Sequence, residues 1–254
     1  MNRIALIASA ITASALVGAA VLVNRRTGAG ADALPDNVIP IISPVITMEL
    51  AEHVLSRMEH LPPDEATVVL HTEGGEITAC IMIADALRKF RRSTAIVPYM
   101  AFSGGTVIAL NATQLQLGKN AALSAVDPVI FGMRGRHIPA MVDDTDNPLH
   151  PLAAEYDTAV SGYLRQTLLA RLGAASDGVV GRAMDTFMGL ERPHSWPIHS
   201  GQLRDLGLSV ASAGTEWSKY VDEYRKVCRK YALAYAGRGD VHRPQSDDRR
   251  WQHA

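Results

Sequence analysis

A single serine stands where a strand pattern changes into a helix pattern. Residues 94–97 are rich in β-forming types and stop at Pro98, and an apolar helix pattern starts at Thr106. Ser103 lies in the small-residue turn between them. The start of a helix offers free backbone N–H groups and the positive end of the helix dipole. These features predict that Ser103 is a nucleophile whose reaction passes through an oxyanion.

A pair of glycines occupies the equivalent turn one unit earlier in the chain. Residues 67–72 read as a buried strand, Gly74 and Gly75 follow it, and residues 77–90 read as a helix. Adjacent glycines let the backbone approach a ligand and point its N–H groups inward. Two successive strand–turn–helix units predict a parallel sheet whose turns meet at one edge.

Size and charge limit the classes of protein that fit. The chain has 254 residues, is 47% hydrophobic and carries a formal net charge of −1. These values predict one large domain with extensions, and they predict no overall field that would recruit nucleic acid. Two cysteines are too few for a disulfide framework, and Cys80 is expected to be a buried thiol.

The amino-terminal segment is apolar enough to cross a bilayer. Residues 4–23 form an uncharged run that is long enough for a spanning helix. We expect an uncleaved single-pass anchor, with a cleaved signal peptide as the alternative. Positive charges on both sides of the run leave the orientation of the domain open.

Composition and periodicity divide the rest of the chain. The anchor at 1–24 is followed by a linker at 25–37, a main domain at 38–212, an amphipathic helix at 213–236 and a disordered tail at 237–254. Within the main domain, helices are expected at 47–60, 152–172 and 179–190. Residues 132–151 lack periodicity and are expected to form a mobile loop over the site.

Four segments, in this order, resemble the serine dehydrogenase proteinase family. They are 71–75, 99–106, 124–128 and 193–198, the last followed by Leu-Gly-Leu at 206–208. The second is similar to the family's serine turn, the third to its Gly-Pro-Ile-Asp-Pro segment and the fourth to its Thr-His-x-Tyr-Pro-Ile element. The family belongs to the Clp-protease/crotonase superfold and is related to signal peptide peptidase A.

The resemblance implies a fold, an activity and partners. It implies an α/β fold, a Clp/crotonase-like αβ-spiral of repeated β-β-α units, here with an N-terminal transmembrane helix. It implies hydrolysis of peptide or protein substrates by Ser103, with Gly74, Gly75 and Gly104 around the oxyanion, and a homo-oligomer. Apart from the resemblance, the net charge predicts no nucleic-acid partner, and neither a cofactor nor a metal is expected because the sequence has no matching motif.

The sequence leaves open which residue is the base that activates the serine. His194 is the best candidate because it lies in a family-like element, followed by His137 and His150 in the expected loop. Asp127 would orient a histidine, or it forms a local turn before Pro128. Lys119 follows a strand on a turn and is expected to be solvated.

Three functions remain open from sequence alone. The first is a membrane-anchored serine peptidase. The second is a catalytically silent relative that binds peptides or scaffolds a membrane complex; it is favoured by the lack of any lysine between Lys119 and Lys219 and by the carboxylate of Glu73 beside the expected oxyanion. The third is a crotonase-like enzyme that polarises a thioester carbonyl with the same N–H groups.

Overall fold

The computed structural model describes residues 34–144, 146–173 and 177–236. The run at 4–23, for which a membrane anchor is predicted, and the tail at 237–254 lie outside these residues. Within the described part of the chain, no helix has both the length and the apolar character that a membrane span requires.

Short strands and helices alternate along the chain. The strands are β1 (Val38–Ile42), β2 (Glu65–His71), β3 (Arg92–Val97), β4 (Met100–Ala101), β5 (Gln114–Leu117), β6 (Ala122–Leu123), β7 (Val129–Ile130), β8 (Met133–Arg134), β9 (Ile198–His199) and β10 (Ala211–Ser212). The helices are α1 (Met48–Glu59), α2 (Ile77–Leu87), α3 (Gly104–Asn111), α4 (Ile138–Met141), α5 (Leu149–Leu172), α6 (Asp177–Met188), α7 (Ser200–Asp205) and α8 (Thr215–Ala236).

The predicted parallel sheet is present. Its strand order is β1-β2-β3-β5-β10, and every neighbouring pair in it is parallel. Residues 66–71 of β2 and 93–97 of β3 are all buried because both faces of the sheet are covered there. The carboxyl ends of β2 and β3 therefore lie at one edge, where the glycine turn and the serine turn follow.

A second, smaller sheet at that edge joins three distant parts of the chain. β4 pairs in parallel with β6, and β6 pairs antiparallel with β9. The residues after β4, the residues after β6 and the residues before β9 consequently leave this sheet in the same direction. Ser103, Asp127 and His194 lie on those three segments.

One face of the main sheet carries most of the core. α1 shows the pattern: Thr47 caps it by accepting the N–H of Leu50 at 3.3 Å, and its apolar stripe is buried. α3 is buried along its whole length. Such a helix is stabilised by packing on all sides, which fixes the position of its first turn.

The back face of the same sheet is covered by α8. Val38 and Val69 pack against Val221 of this helix, with Trp217 and Tyr220 beside them. The expected amphipathic C-terminal helix is thus present at Thr215–Ala236, and its apolar stripe meets the sheet.

His71 also points to the back face of the sheet. The residue is buried as predicted, but its Nδ1 has no hydrogen-bond partner. Its ring meets the ring of Tyr99 edge-on, with 5.8 Å between centroids. Burial, assisted by the charge of Arg225 and opposed by that of Asp222, lowers the pKa of His71 to about 4. His71 is therefore neutral at ordinary pH.

The prediction of a mobile loop over 132–151 is wrong. This stretch contains β8, a 3-10 turn at Gly135–His137, α4 and the first residues of α5. β7 and β8 form a hairpin whose turn residues, Phe131 and Gly132, both have positive φ, at 50° and 83°. Elements this short carry no hydrophobic period, so the sequence pattern did not reveal them.

Candidate functional site

Ser103 occupies a strained backbone position at the start of α3. Its φ is 50° and its ψ −118°, values that a residue with a side chain adopts only at an energetic cost. The N–H of Ser103 donates to Ser124 Oγ at 2.8 Å, and its carbonyl accepts the N–H of Val107 at 3.2 Å. The serine is thus held half-buried at the positive end of a buried helix.

The glycine turn lies directly against the serine turn. Gly74 has φ 111°, and a Cβ placed on it would lie 2.6 Å from Ser103 Cβ. A Cβ on Gly104 would lie 2.2 Å from Cys80 Sγ and 3.7 Å from the backbone nitrogen of Gly75. Neither turn has room for a side chain, and the backbone nitrogens of Gly75 and Gly104 therefore lie close together beside Ser103.

These two amides are available to a ligand. Among the hydrogen bonds of the described residues, none uses the N–H of Gly75 or of Gly104, whereas the N–H of Gly74 is bound to Thr72 Oγ1 at 3.1 Å. Ile46 fixes the turn by donating its N–H to the carbonyl of Gly74 at 2.7 Å. A pair of converging, unoccupied N–H groups at a helix start suits a developing oxyanion.

Buried hydroxyls support the serine turn from below. Thr106 Oγ1 donates to the carbonyl of Ala101 at 2.7 Å and accepts the N–H of Ser124 at 3.0 Å. The hydroxyl of Ser124, completely buried, accepts from Ser103 N–H and donates to the carbonyl of Ala125 at 3.0 Å. Ser124 lies in one of the family-like segments, but the sequence gives no sign of this supporting role because a hydroxyl has no distinctive local pattern.

Asp127 and His194 form the second half of the site. His194 Nδ1 lies 2.9 Å from Asp127 Oδ1, and Arg134 Nε donates to Asp127 Oδ2 at 2.5 Å. The Asp127 side chain is 1% exposed and that of His194 21%. Burial acts to raise the pKa of Asp127, but the hydrogen bonds and charges of His194 and Arg134 outweigh it and hold that pKa below its usual range. The aspartate is therefore ionised and the imidazole is oriented by its Nδ1, which leaves Nε2 for a reacting proton.

The two halves adjoin without a direct bond in the described residues. No hydrogen bond there joins Ser103 to His194. The connection runs through Ser124, which binds the N–H of Ser103 and precedes Asp127 by three residues. Three extended residues span at most about 11 Å, so the carboxylate lies at the same edge of the fold as the serine.

The other candidate bases lie elsewhere or are committed to other contacts. Nε2 of His150 lies 3.0 Å from the carbonyl of Val142. His137 ends the 3-10 turn and has no carboxylate contact among the described residues. Lys119 is exposed on its turn, as expected. Glu73 is exposed as well, so water screens its charge from the adjacent amides.

Cys80 packs beside the backbone amides of Gly75 and Gly104. Its thiol is buried under Gly104, and burial followed by the charge of Glu76 raises its pKa to about 12. The thiol is therefore un-ionised and unreactive at neutral pH. The described residues contain no group of three histidine, cysteine or carboxylate side chains that could hold a metal ion.

The chain is similar to a known protein family and to two proteins of one organism. Residues 33–150 match the sequence profile of the ClpP-like SDH-type serine proteinases. An uncharacterized protein of Methanocaldococcus jannaschii is 27% identical over 199 residues, which cover 74% of this chain and 66% of that relative. A second uncharacterized protein of that organism is 39% identical over 94 residues, covering 36% and 32%. The matches thus span about two thirds of one relative and one third of the other.

Solved structures show the same fold. ClpP1 from Listeria monocytogenes superposes with a TM-score of 0.50 at 14% identity, covering 72% of this chain and 95% of that one. A point mutant of that protein superposes with the same TM-score at 16% identity and covers 72% and 94%. The predicted ClpP-like α/β fold is confirmed for the described part of the chain.

Proposed function

We propose that the protein is a serine peptidase with Ser103 as its nucleophile, because residues 33–150 match the sequence profile of the ClpP-like SDH-type serine proteinases. The observation that carries the proposal is the strained backbone of Ser103 at the first turn of α3, next to the open N–H groups of Gly75 and Gly104. Strain of this kind persists where the surrounding structure enforces it, and it collects at functional sites.

In the proposed reaction, Ser103 Oγ attacks the carbonyl carbon of the scissile peptide while His194 Nε2 takes the hydroxyl proton. The N–H groups of Gly75 and Gly104 hold the resulting oxyanion. Collapse of this intermediate breaks the C–N bond, and His194 returns the proton to the leaving amine. Water then attacks the acyl ester, gives a proton to His194 and releases the carboxylic acid as Ser103 recovers its proton.

Asp127 holds the imidazole for this proton transfer. Its ionised, buried carboxylate accepts a hydrogen bond from Nδ1–H and stabilises the imidazolium that forms during the attack. The missing Ser103–His194 hydrogen bond has to form as substrate binds, a tightening that is common in catalytic sites.

The same missing bond favours a second candidate function. Without a base on Ser103, the site would bind a peptide carbonyl through the two open N–H groups and leave the bond intact. This peptide-binding relative shares the fold and the amide pair and differs only in the activation of the serine.

A fluorophosphonate probe distinguishes the two functions. We would treat the full-length protein, Ser103→Ala and the exposed-serine control Ser56→Ala with the probe, and locate the adduct by mass spectrometry. The peptidase predicts an adduct on Ser103 that is retained in Ser56→Ala and absent from Ser103→Ala. Folded, unlabelled protein would contradict the peptidase and leave the peptide-binding relative as the favoured function.

We also propose that residues 4–23 anchor the protein in a membrane and that the chain forms a homo-oligomer. The uncharged apolar run supports the anchor. Large apolar side chains left exposed on the described chain support the oligomer, above all Phe131 at 83% and Met141 at 63%. Extraction of cell membranes with alkaline carbonate tests the first proposal, and light scattering of detergent-purified protein tests the second. Release by carbonate or a monomeric mass would overturn the respective proposal.

A further inference from the structure

Arg134 links both parts of the Asp127–His194 half of the site. Its side chain is 10% exposed, and Nε donates to Asp127 Oδ2 at 2.5 Å. The two terminal nitrogens donate to the carbonyls of Arg192 at 2.6 Å and of Gly189 at 2.7 Å. A single guanidinium thus binds the carboxylate and the backbone of the segment that leads to His194.

The hairpin places this guanidinium with little freedom. Arg134 is paired with Val129, which follows Asp127 by two residues. The tight turn at Phe131 and Gly132 brings the chain straight back to the carboxylate. The position of Arg134 relative to Asp127 is therefore set by local backbone geometry, and the long arginine side chain extends from there to the 189–192 backbone.

The contacts divide the two oxygens of Asp127 between two partners. Oδ1 meets His194 Nδ1, and Oδ2 meets Arg134 Nε. A planar guanidinium fixes a carboxylate in orientation, whereas a point charge such as an ammonium does not. The permanent charge of Arg134 also balances the charge of the buried aspartate.

We propose that Arg134 is a positioning residue: it orients the Asp127 carboxylate and the 189–194 segment together, and so holds His194 for proton transfer. This inference rests on the proposed peptidase function for its catalytic consequence. Its structural part, the Asp127–His194 hydrogen bond, can be observed without any turnover.

Arg136 supplies a matched control two residues away. It likewise joins a carboxylate to the end of α6, through Asp157 at 2.7 Å and the carbonyl of Met188 at 2.9 Å, but it does not touch Asp127. The Arg136→Gln variant therefore tests whether the loss of any arginine that joins a carboxylate to this backbone disturbs His194.

The experiment compares full-length wild type with Arg134→Gln, Arg134→Lys and Arg136→Gln by two readouts. The first is the downfield imidazole N–H resonance of ¹⁵N-histidine-labelled protein, assigned to His194 by its loss in His194→Gln. The second is the rate of fluorophosphonate labelling. A displacement of about 1 Å in a catalytic group costs roughly 100-fold in rate. We expect Arg134→Gln and Arg134→Lys to lose the resonance and to label about 100-fold more slowly, with Arg136→Gln like wild type.

Each outcome decides the proposal. If Arg134→Gln keeps both the resonance and the labelling rate, or if Arg136→Gln loses them equally, Arg134 has no specific positioning role. If Arg134→Gln does not fold, Arg134→Lys, which retains the charge, decides by the same readouts. If wild type is not labelled at all, the peptidase function fails, and the resonance in the three variants still decides whether Arg134 orients His194.

Discussion

The two histidines His194, at the site edge, and His71, on the back face of the main sheet, lie in opposite environments. At the site edge, His194 is partly exposed and rests on the ionised carboxylate of Asp127. On the back face, His71 is buried beneath α8 with an unpartnered Nδ1, and its pKa is lowered to about 4, mainly by burial. The comparison teaches that partner and solvent access set the state of a histidine: the first imidazole is oriented by a carboxylate and reaches solvent, and the second is buried and kept neutral.

The comparison is tested most strongly by exchanging each histidine for glutamine. General-base catalysis contributes about 10²- to 10⁴-fold, so we expect His194→Gln to lower the fluorophosphonate labelling rate by that factor. His71→Gln should label within about twofold of wild type because it lies on the other face of the sheet. If the labelling rates of the two variants, measured side by side, fell equally, the two histidines would not differ in their effect on the site.

The next largest expected effect is that of the Asp127 carboxylate on the free energy of unfolding. Breaking a buried pair by removing one partner costs about 3–5 kcal/mol, and we expect Asp127→Asn to lose about that much stability at pH 7 because Arg134 remains without its anion. Since the folded-state pKa of Asp127 is lowered, its stabilisation is complete above the ordinary carboxyl pKa and is lost as the pH falls through the lower folded value.

Urea unfolding at pH 7 and at pH 3 measures this dependence. The stability gap between wild type and Asp127→Asn should narrow at pH 3, while Asp143→Asn, an exposed aspartate, should match wild type at both values. A gap of the same size at both pH values would show that the carboxylate charge contributes nothing.

Burial of His71 on the back face should make the stability of the protein fall in acid. An unfolded histidine titrates near pH 6.5 and the buried one near pH 4. Between these values the unfolded chain binds more protons, so stability rises with pH across this window by at most about 3 kcal/mol. We expect His71→Leu to lose this rise and His60→Leu, an exposed position, to keep it. Urea unfolding at pH 4.5 and 7 checks this, and an unchanged slope in His71→Leu would contradict it.

The smallest expected effect concerns the hydrogen bond that ties Tyr99 to α8. Tyr99 donates to Asp222 Oδ2 at 2.8 Å in a solvent-exposed setting, so its loss costs about 1 kcal/mol or less. Tyr99→Phe should therefore lower the unfolding midpoint slightly and leave labelling of Ser103 unchanged. A large fall in labelling would mean that the back face influences the site, contrary to the separation described above.

The Ser103 half of the candidate site was readable from sequence, and the Asp127–His194 half was readable only in part. Ser103 and the Gly74–Gly75 pair lie in turns next to strand and helix patterns, where local spacing predicts geometry. His194 and Asp127 were each identified as candidates, but their pairing depends on β6 and β9, which are two-residue strands. Arg134 was missed because an arginine in an aperiodic stretch carries no local sign of the carboxylate that it binds.

Sequence alone determined the parallel sheet, the amphipathic helices and the two turns that meet at its edge, because each follows from hydrophobic period, glycine freedom and helix ends within one segment. Tertiary structure decided that the side chains of Asp127 and His194 meet across a sequence separation of 67. It also decided which histidine is buried without a partner. Such contacts depend on the packing of distant elements, and the energy of one buried ion pair is set by its surroundings rather than by its position in the chain.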